Sequence, residues 1–270
     1  MQRLTLVPPA QNDSVLYALD NGLGVLEYQP VVRSNGSVVF HEALLRLTGP
    51  DFKPIMPNVF LPIVTEAGLL PKLDCLAMDL AVSQLQNHPN LRLSVNVHPH
   101  SLNSAQVMLR AETLSRDVAM RLIVEVTEQA TPCVVGHATL NAFRTAGAAV
   151  YADDFGAGAT SLRMLSDGYF DGFKIDRSFI ETLESSNANQ AICRALLDLA
   201  NMLGVMVVAE GVETPAQAEW LRSTHVPMMQ GYFFGKPTKS PRPYGFETPA
   251  FVNSSSPDQT VAPASQQAAI

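Results

Sequence analysis

Carboxylates and carboxamides recur in this chain where apolar, strand-like runs end. The runs close as Phe40-His41-Glu42-Ala43-Leu44, Ser94-Val95-Asn96, Val124-Glu125-Val126-Thr127-Glu128, Tyr151-Ala152-Asp153-Asp154-Phe155, Phe173-Lys174-Ile175-Asp176 and Val208-Ala209-Glu210-Gly211-Val212-Glu213. A carboxylate inside an apolar strand is costly unless a cation or hydrogen bonds compensate it. One alone is accounted for by a helix cap or a salt bridge. Repeated at the carboxyl end of strand after strand, they describe a ring of oxygen ligands on one rim of a barrel. Such a ring suits a divalent-metal hydrolase.

Glu42, Asn96, Glu125, Asp153 and Asp154 are hard oxygen donors of the kind Mg2+ or Mn2+ prefers. Only His41 and His98 lie near the ring, which argues against a zinc or non-haem iron centre. The adjacent Asp153 and Asp154 suit the bridging of two ions, an arrangement that clamps the attacking and leaving oxygens in phosphoryl hydrolysis. Lys174 sits inside an apolar run. Either it points into the carboxylates and holds a water or a phosphate oxygen, or it closes a buried ion pair with Asp176 or another carboxylate. Glu210 has the same choice between the ring and a rim salt bridge. Arg46, just behind Glu42, is a phosphate contact or a surface charge. The Gly156-Ala157-Gly158 loop after the acidic pair suits cradling a phosphate or flexing as a lid, and a lone GxG does not choose between them.

The elements that must position these groups follow from the same runs. Residues 25–32 and 38–45 are β-like and flank Asn35-Gly36, a strong hairpin signal, so the first two strands are expected to be antiparallel neighbours. Further strands are read at 91–98, 121–128, 149–155, 172–176, 205–212 and 228–234. Helices are read at 72–86 (Leu73, Leu76, Leu80, Leu85), 133–146, 189–203 and 215–223, the last started by Thr214-Pro215. Eight strands with intervening helices predict an α/β fold, a TIM-like (β/α)8 barrel with an antiparallel first strand. A doubly wound open sheet is the alternative, disfavoured because polar residues are spread over many strand ends.

At 270 residues and 47% hydrophobic content, the chain is long enough for one large domain with a substantial core. Its net charge of -7 argues against gripping a nucleic-acid polymer over a broad face. A small phosphate ligand is compatible with it, since metal ions invert the sign of an acidic cluster. Cys75, Cys133 and Cys193 form no paired spacing and read as buried thiols of a reduced compartment. The start lacks a signal-peptide pattern, and no apolar run reaches the ~18 residues of a membrane helix. A soluble cytoplasmic protein is expected. Residues 1–13 are read as an extension, 14–244 as the folded domain, and the Pro/Ser/Gln/Ala-rich 245–270 as a disordered tail.

Together these residues resemble the EAL family of bacterial cyclic di-GMP phosphodiesterases, from about residue 14 to about residue 240. The naming triplet stands in His41-Glu42-Ala43-Leu44-Leu45-Arg46. Tyr28-Gln29-Pro30, Ser94-Val95-Asn96, Glu125-Val126-Thr127-Glu128, Asp153-Asp154-Phe155-Gly156, Lys174-Ile175-Asp176-Arg177-Ser178-Phe179, Ala209-Glu210-Gly211-Val212-Glu213-Thr214 and Gln230-Gly231-Tyr232 follow in the family's order.

The resemblance implies a reversed first strand and hydrolysis of cyclic di-GMP to linear 5′-pGpG by in-line attack of water. It implies two Mg2+ or Mn2+ ions, with Ca2+ inhibitory. Glu42, Asn96, Glu125 and Asp153 would hold the first ion; Asp153, Asp154 and Glu210 the second. Lys174 would position or activate the attacking water, with Gln230 nearby, and Glu128 would anchor the loop after Asp154. Arg46, Gln29, Gln230, Asp176 and Glu213 would bind substrate. A homodimer is implied, paired near that loop.

The sequence departs from the family pattern at Leu47, where a Trp is usual, and at Ala157, Ala159 and Thr160. The competing reading is a catalytically silent member acting as a cyclic di-GMP receptor or protein-interaction module. The intact ligand set counts against it. A magnesium-dependent barrel acting on another phosphate ester is disfavoured by the ordered motifs.

Overall fold

A computed structural model describes residues 11–127, 134–156, 165 and 168–242. Helix α1 (Gln11–Asp20) leads into a hairpin of β1 (Gly24–Val32) and β2 (Val38–Thr48), then a short β3 (Pro54–Ile55), α2 (Pro57–Glu66) and α3 (Leu70–Asn87). The rhythm then becomes β4 (Leu93–Asn96), a 3-10 turn (Pro99–Asn103), α4 (Ala105–Thr113), α5 (Arg116–Ala119), β5 (Leu122–Thr127), α6 (Val134–Ala146) and β6 (Ala149–Phe155). It finishes with β7 (Gly172–Ile175), α7 (Arg177–Glu181), α8 (Asn187–Leu203), β8 (Met206–Ala209), α9 (Pro215–Ser223) and β9 (Met228–Gln230).

The sheet order β1-β9-β8-β7-β6-β5-β4-β2, closed by β1–β2 pairing, is an eight-strand barrel with β3 appended to β2. β1 runs antiparallel to both β2 and β9, while the remaining barrel neighbours are parallel. The expected barrel with an inverted first strand is the observed one, and the open sheet is not. The hairpin turns through Gly36 at φ +81°, with the Arg33 N–H donating to the Ser37 carbonyl and Asn35 Oδ1 accepting from the Ser37 N–H. A left-handed residue is what Asn-Gly supplies in such a loop.

Strand side chains alternate between the barrel axis and the helices. Val31, Phe40, Ile123, Tyr151, Val208 and Met228 form a buried apolar cluster inside the barrel. Gly172 belongs to the same layer: a Cβ there would lie 2.8 Å from the Tyr151 ring, so its absence makes room for that ring. Two residues further toward the rim, the strands carry Gln29, Glu42, Glu125, Asp153, Lys174, Glu210 and Gln230, with Asn96 two beyond Ser94. The barrel axis is therefore an apolar plug topped by a polar layer. Outside the strands, helices pack on the main core, which includes Val95, Leu122, Val124, Val150, Phe173 and Ile175.

Several strands stop earlier than their apolar runs. β8 ends at Ala209, one residue before Glu210, and Gly211 turns the chain away at φ +70°. β9 ends at Gln230, where Gly231 packs directly on Val212 backbone.

Candidate active site

The register alternation carries eight polar side chains to one end of the axis. Lys174, 1% exposed, stands at their centre. Its Nζ lies 2.5 Å from Glu210 Oε1, 2.9 Å from Glu125 Oε2, 3.3 Å from Asp153 Oδ1 and 3.6 Å from Glu42 Oε2. Burial opposes its charge, but the Asp153, Glu125, Glu210 and Glu42 carboxylates outweigh that and raise its pKa well above the ordinary value. Of the two sequence readings of Lys174, the one facing the carboxylates is observed. Asp176 instead caps α7, accepting from the Ser178 N–H at 3.0 Å and from its hydroxyl.

Carboxamides hold Glu42 in place. Asn96 Nδ2 donates to Glu42 Oε1 at 2.8 Å, and Gln230 Nε2 donates to Glu42 Oε2 at 2.6 Å. Gln230 Nε2 also reaches Gln29 Oε1 at 3.2 Å, and Gln29 Nε2 reaches the Gly235 carbonyl. Burial works against ionising Glu42, yet Lys174 and the two amides hold its pKa below the usual value. Glu125 is pushed up to about 8, mainly by burial, with repulsion from Glu42 and Asp153 adding and Lys174 opposing. Burial likewise raises Glu210 well above the carboxylate range, against the pull of Lys174.

One ammonium is crowded by four carboxyl groups. Strand β6 adds another: its register with β7 shifts between Ala152 and Phe155, and Asp154 adopts φ +54°. That irregularity lets two successive aspartates serve the same end of the barrel. Asp153, Asp154 and Glu210 each offer an oxygen within 4.8 Å of one another. Among the described residues Glu125 Oε1 is buried without a hydrogen-bond partner, while Asp153 Oδ1 is buried with Lys174 Nζ at 3.3 Å. Carboxylate oxygens clustered and buried in this way are hard donors that fit a divalent cation.

Two recesses flank the ring. A cleft of about 250 Å³ is lined by Gln29, Glu42, Asp153, Lys174, Glu210 and Gln230, and walled by Arg177, Glu181, Glu213 and Tyr232. A groove of about 220 Å³ lies on the other side, between Leu44 and Arg46 of β2, Pro57, Phe60 and Leu61 of α2, and Asp74 of α3, with Asn96 at its edge. Arg46 lies in that groove, its Nε 3.0 Å from Glu27 Oε2. Glu213 is exposed on the cleft wall.

The structure thus brings Gln29, Glu42, Asn96, Glu125, Asp153, Asp154, Lys174, Glu210 and Gln230 together, with Arg46 in the groove and Glu213 on the cleft wall, whereas Asp176 caps α7. Glu128 and the Ala157, Ala159 and Thr160 departures lie outside the described residues. Leu47 is buried against Val15, Leu19 and Phe60. Asp74 was not read from the sequence. It is 6% exposed and accepts from the His98 N–H at 2.8 Å; burial pushes its pKa up to about 6. The available signal was a carboxylate at a stripe position, four residues after the buried Leu70.

Comparison with known proteins agrees with this geometry. The EAL domain family model matches residues 12–237. The probable cyclic di-GMP phosphodiesterase PdeB of Escherichia coli (strain K12) is 34% identical over 229 residues, covering 81% of this chain and 43% of that protein. The cyclic di-GMP phosphodiesterase NbdA of Pseudomonas aeruginosa is 33% identical over 223 residues, covering 78% and 28%. This chain therefore spans less than half the length of either relative. Among solved structures, the PaMucR phosphodiesterase in complex with c-di-GMP superposes with a TM-score of 0.74 at 30% identity, covering 84% of this chain and 97% of that one.

Proposed function

Because the chain belongs to the EAL domain family, we propose that it hydrolyses cyclic di-GMP to linear 5′-pGpG with the help of divalent cations. The observation that carries this reading is the buried Lys174 within 3.6 Å of four carboxylates, beside the Asp153, Asp154 and Glu210 cluster. The intact ligand set counts against a catalytically silent receptor.

Glu42, Asn96, Glu125 and Asp153 would hold one Mg2+ or Mn2+, and Asp153, Asp154 and Glu210 a second. When bound, such ions polarise the phosphodiester and lower the pKa of water at the site. The chain's own residues do the rest. Lys174, with four carboxylates within 3.6 Å of its Nζ, would position or activate the attacking water and offset negative charge. Asn96 and Gln230 fix both oxygens of Glu42. Arg46, Gln29, Gln230, Asp176 and Glu213 are assigned to substrate, and Glu128 to anchoring the loop after Asp154.

The two recesses suit a ligand with two bases on either side of a phosphate ring. Apolar walls at Leu44, Phe60 and Leu61 suit a purine face, and Asp74 offers an acceptor for a guanine edge. Residues 14–244 form the proposed catalytic domain. No helix among the described residues is long and apolar enough to cross a membrane. A cytoplasmic homodimer is proposed with the activity, the dimer to be measured by sedimentation.

The test is hydrolysis of cyclic di-GMP by the purified protein with Mg2+ or Mn2+, beside Glu42→Ala. Linear product from the wild type alone is expected. Binding without turnover would replace the enzyme by a receptor.

A further inference from the structure

One buried amide outside the ring ties two walls of the catalytic cleft together. Gln217, 5% exposed on α9, accepts through Oε1 from the backbone N–H of Glu213 at 2.7 Å and of Thr214 at 3.0 Å. Its Nε2 faces the Glu181 carbonyl at 3.5 Å, at the end of α7. The segment it grips begins with Glu210, whose own N–H donates to the Ile175 carbonyl at 3.2 Å. Gly211 follows at φ +70°, where a Cβ would lie 2.5 Å from the Cβ of Arg177. The Val212 N–H then bonds the Gln230 carbonyl at 3.0 Å. Between Glu210 and Thr214 the backbone has little freedom, and Gln217 holds its far end.

A capping-box residue ordinarily serves its own helix, with the N-cap side chain and the third residue bonding reciprocally. Thr214 and Gln217 do so here. Gln217 goes further, because it also holds the Glu213 N–H and reaches α7. Both Glu213 and Glu181 line the cleft, and Glu210 is a proposed ligand three residues before Glu213.

We propose that Gln217 is a positioning residue: by fixing the segment from Glu210 to Thr214 against α7, it sets where the Glu210 carboxylate stands for the cation. This rests on the reading of Asp153, Asp154 and Glu210 as a metal site. Residues that orient metal ligands change affinity by about 10–100-fold when replaced.

The experiment measures Mn2+ binding to the purified full chain by electron paramagnetic resonance of the free ion, alongside thermal unfolding. Gln217→Met keeps the side chain's length and removes its amide; it should weaken Mn2+ binding about tenfold. Gln217→Glu keeps the acceptor for the Glu213 and Thr214 N–H groups but loses the donor to the Glu181 carbonyl, so it should bind Mn2+ more tightly than Gln217→Met and more weakly than wild type. Thr214→Val removes the other half of the cap; it should lower the unfolding temperature without moving Mn2+ affinity. If Gln217→Met does not fold, Gln217→Asn, one methylene too short to reach the Glu213 N–H, is the second variant, with the same expected weakening. Unchanged Mn2+ binding in the folded amide variant would overturn the proposal. So would equal weakening by Thr214→Val, since helix capping would then explain the effect. Failure of the wild type itself to bind Mn2+ would instead remove the metal reading beneath it.

Discussion

Replacing Lys174 by methionine removes one ammonium and leaves its four carboxylate neighbours behind, at 2.5 to 3.6 Å from the lost Nζ. At an effective dielectric of about 20, an ionised carboxylate at such a distance carries a gross attraction of roughly 5–7 kcal/mol. Desolvation of the ions consumes most of it, and deleting one partner of a buried pair costs about 3–5 kcal/mol net. Methionine fills similar volume, so lost packing contributes little. In urea denaturation at pH 8 with a chelator, Lys174→Met should therefore be about 3–5 kcal/mol less stable than wild type. Two controls separate charge from packing. Lowering the pH to 5 should shrink the deficit, because the stranded carboxylates protonate. Added Mn2+ should shrink it too, since a ligand at 100 times its Kd contributes about 2.7 kcal/mol. Turnover should stay lost throughout. A variant as stable as wild type at pH 8 without metal, or a deficit identical at pH 5 and 8, would refute the electrostatic account.

Other expectations follow from the same geometry. Gly231→Ala would place a Cβ 2.0 Å from the Val212 carbonyl oxygen; it should lose at least about 1–3 kcal/mol of stability and displace Gln230 from Glu42, read as a lower unfolding temperature with reduced turnover. Glu125 has a folded pKa of about 8 against an ordinary 4.5, so the folded protein holds a proton the unfolded chain releases. Metal-free stability should accordingly fall as pH rises from about 5 to 8, while Mn2+ affinity rises over that window as the competing proton leaves; a pH-independent affinity would sink the assignment of Glu125 as a ligand. Calcium should bind and compete with Mn2+ but support little hydrolysis, because its looser coordination misplaces the reacting groups; turnover equal to that with Mn2+ would contradict this.

The ring was legible because strands alternate: a polar residue among apolar ones at a strand end must be compensated, and six strand ends repeat the statement, while Gln29 and Gln230 came only with the family resemblance. Asp74 was harder. Of the α3 stripe read from Leu73, Leu76, Leu80 and Leu85, Leu73 and Leu85 lie on the buried face with Leu70, Asp74, Ala77, Met78 and Ala81, and Leu76 and Leu80 lie half-buried on its flank. The leucines alone defined the stripe, and a carboxylate among them carries no apolar signal. Helix α2 went unread because Pro57 and Pro62 signal a break, although one starts the helix and the other is tolerated within it. Helix α1, with little apolar periodicity, also went unread. The overlong expectations for β8 and β9 came from apolar runs that continue past the sheet. Gly211 and Gly231 turn those residues into packed loops, and hydropathy does not register such turns. That Arg46 turns toward Glu27 depends on the hairpin bringing together partners 19 residues apart in sequence, which composition cannot convey.

The inverted first strand has a mechanical consequence. In a barrel of uniformly parallel strands, whatever precedes strand one arrives at the floor, far from the chemistry. Here β1 descends from the catalytic mouth, so Gln29 is met before Val31 and α1 sits beside the rim. Val15, Ala18 and Leu19 of α1 press on Phe60 and Val64 of α2, and Phe60 is also a wall of the groove. A pull or twist on the chain ahead of α1 therefore has a short lever to the groove. The same pull acts, through the pairing of Gln29 with Glu42, on the carboxylate ring itself.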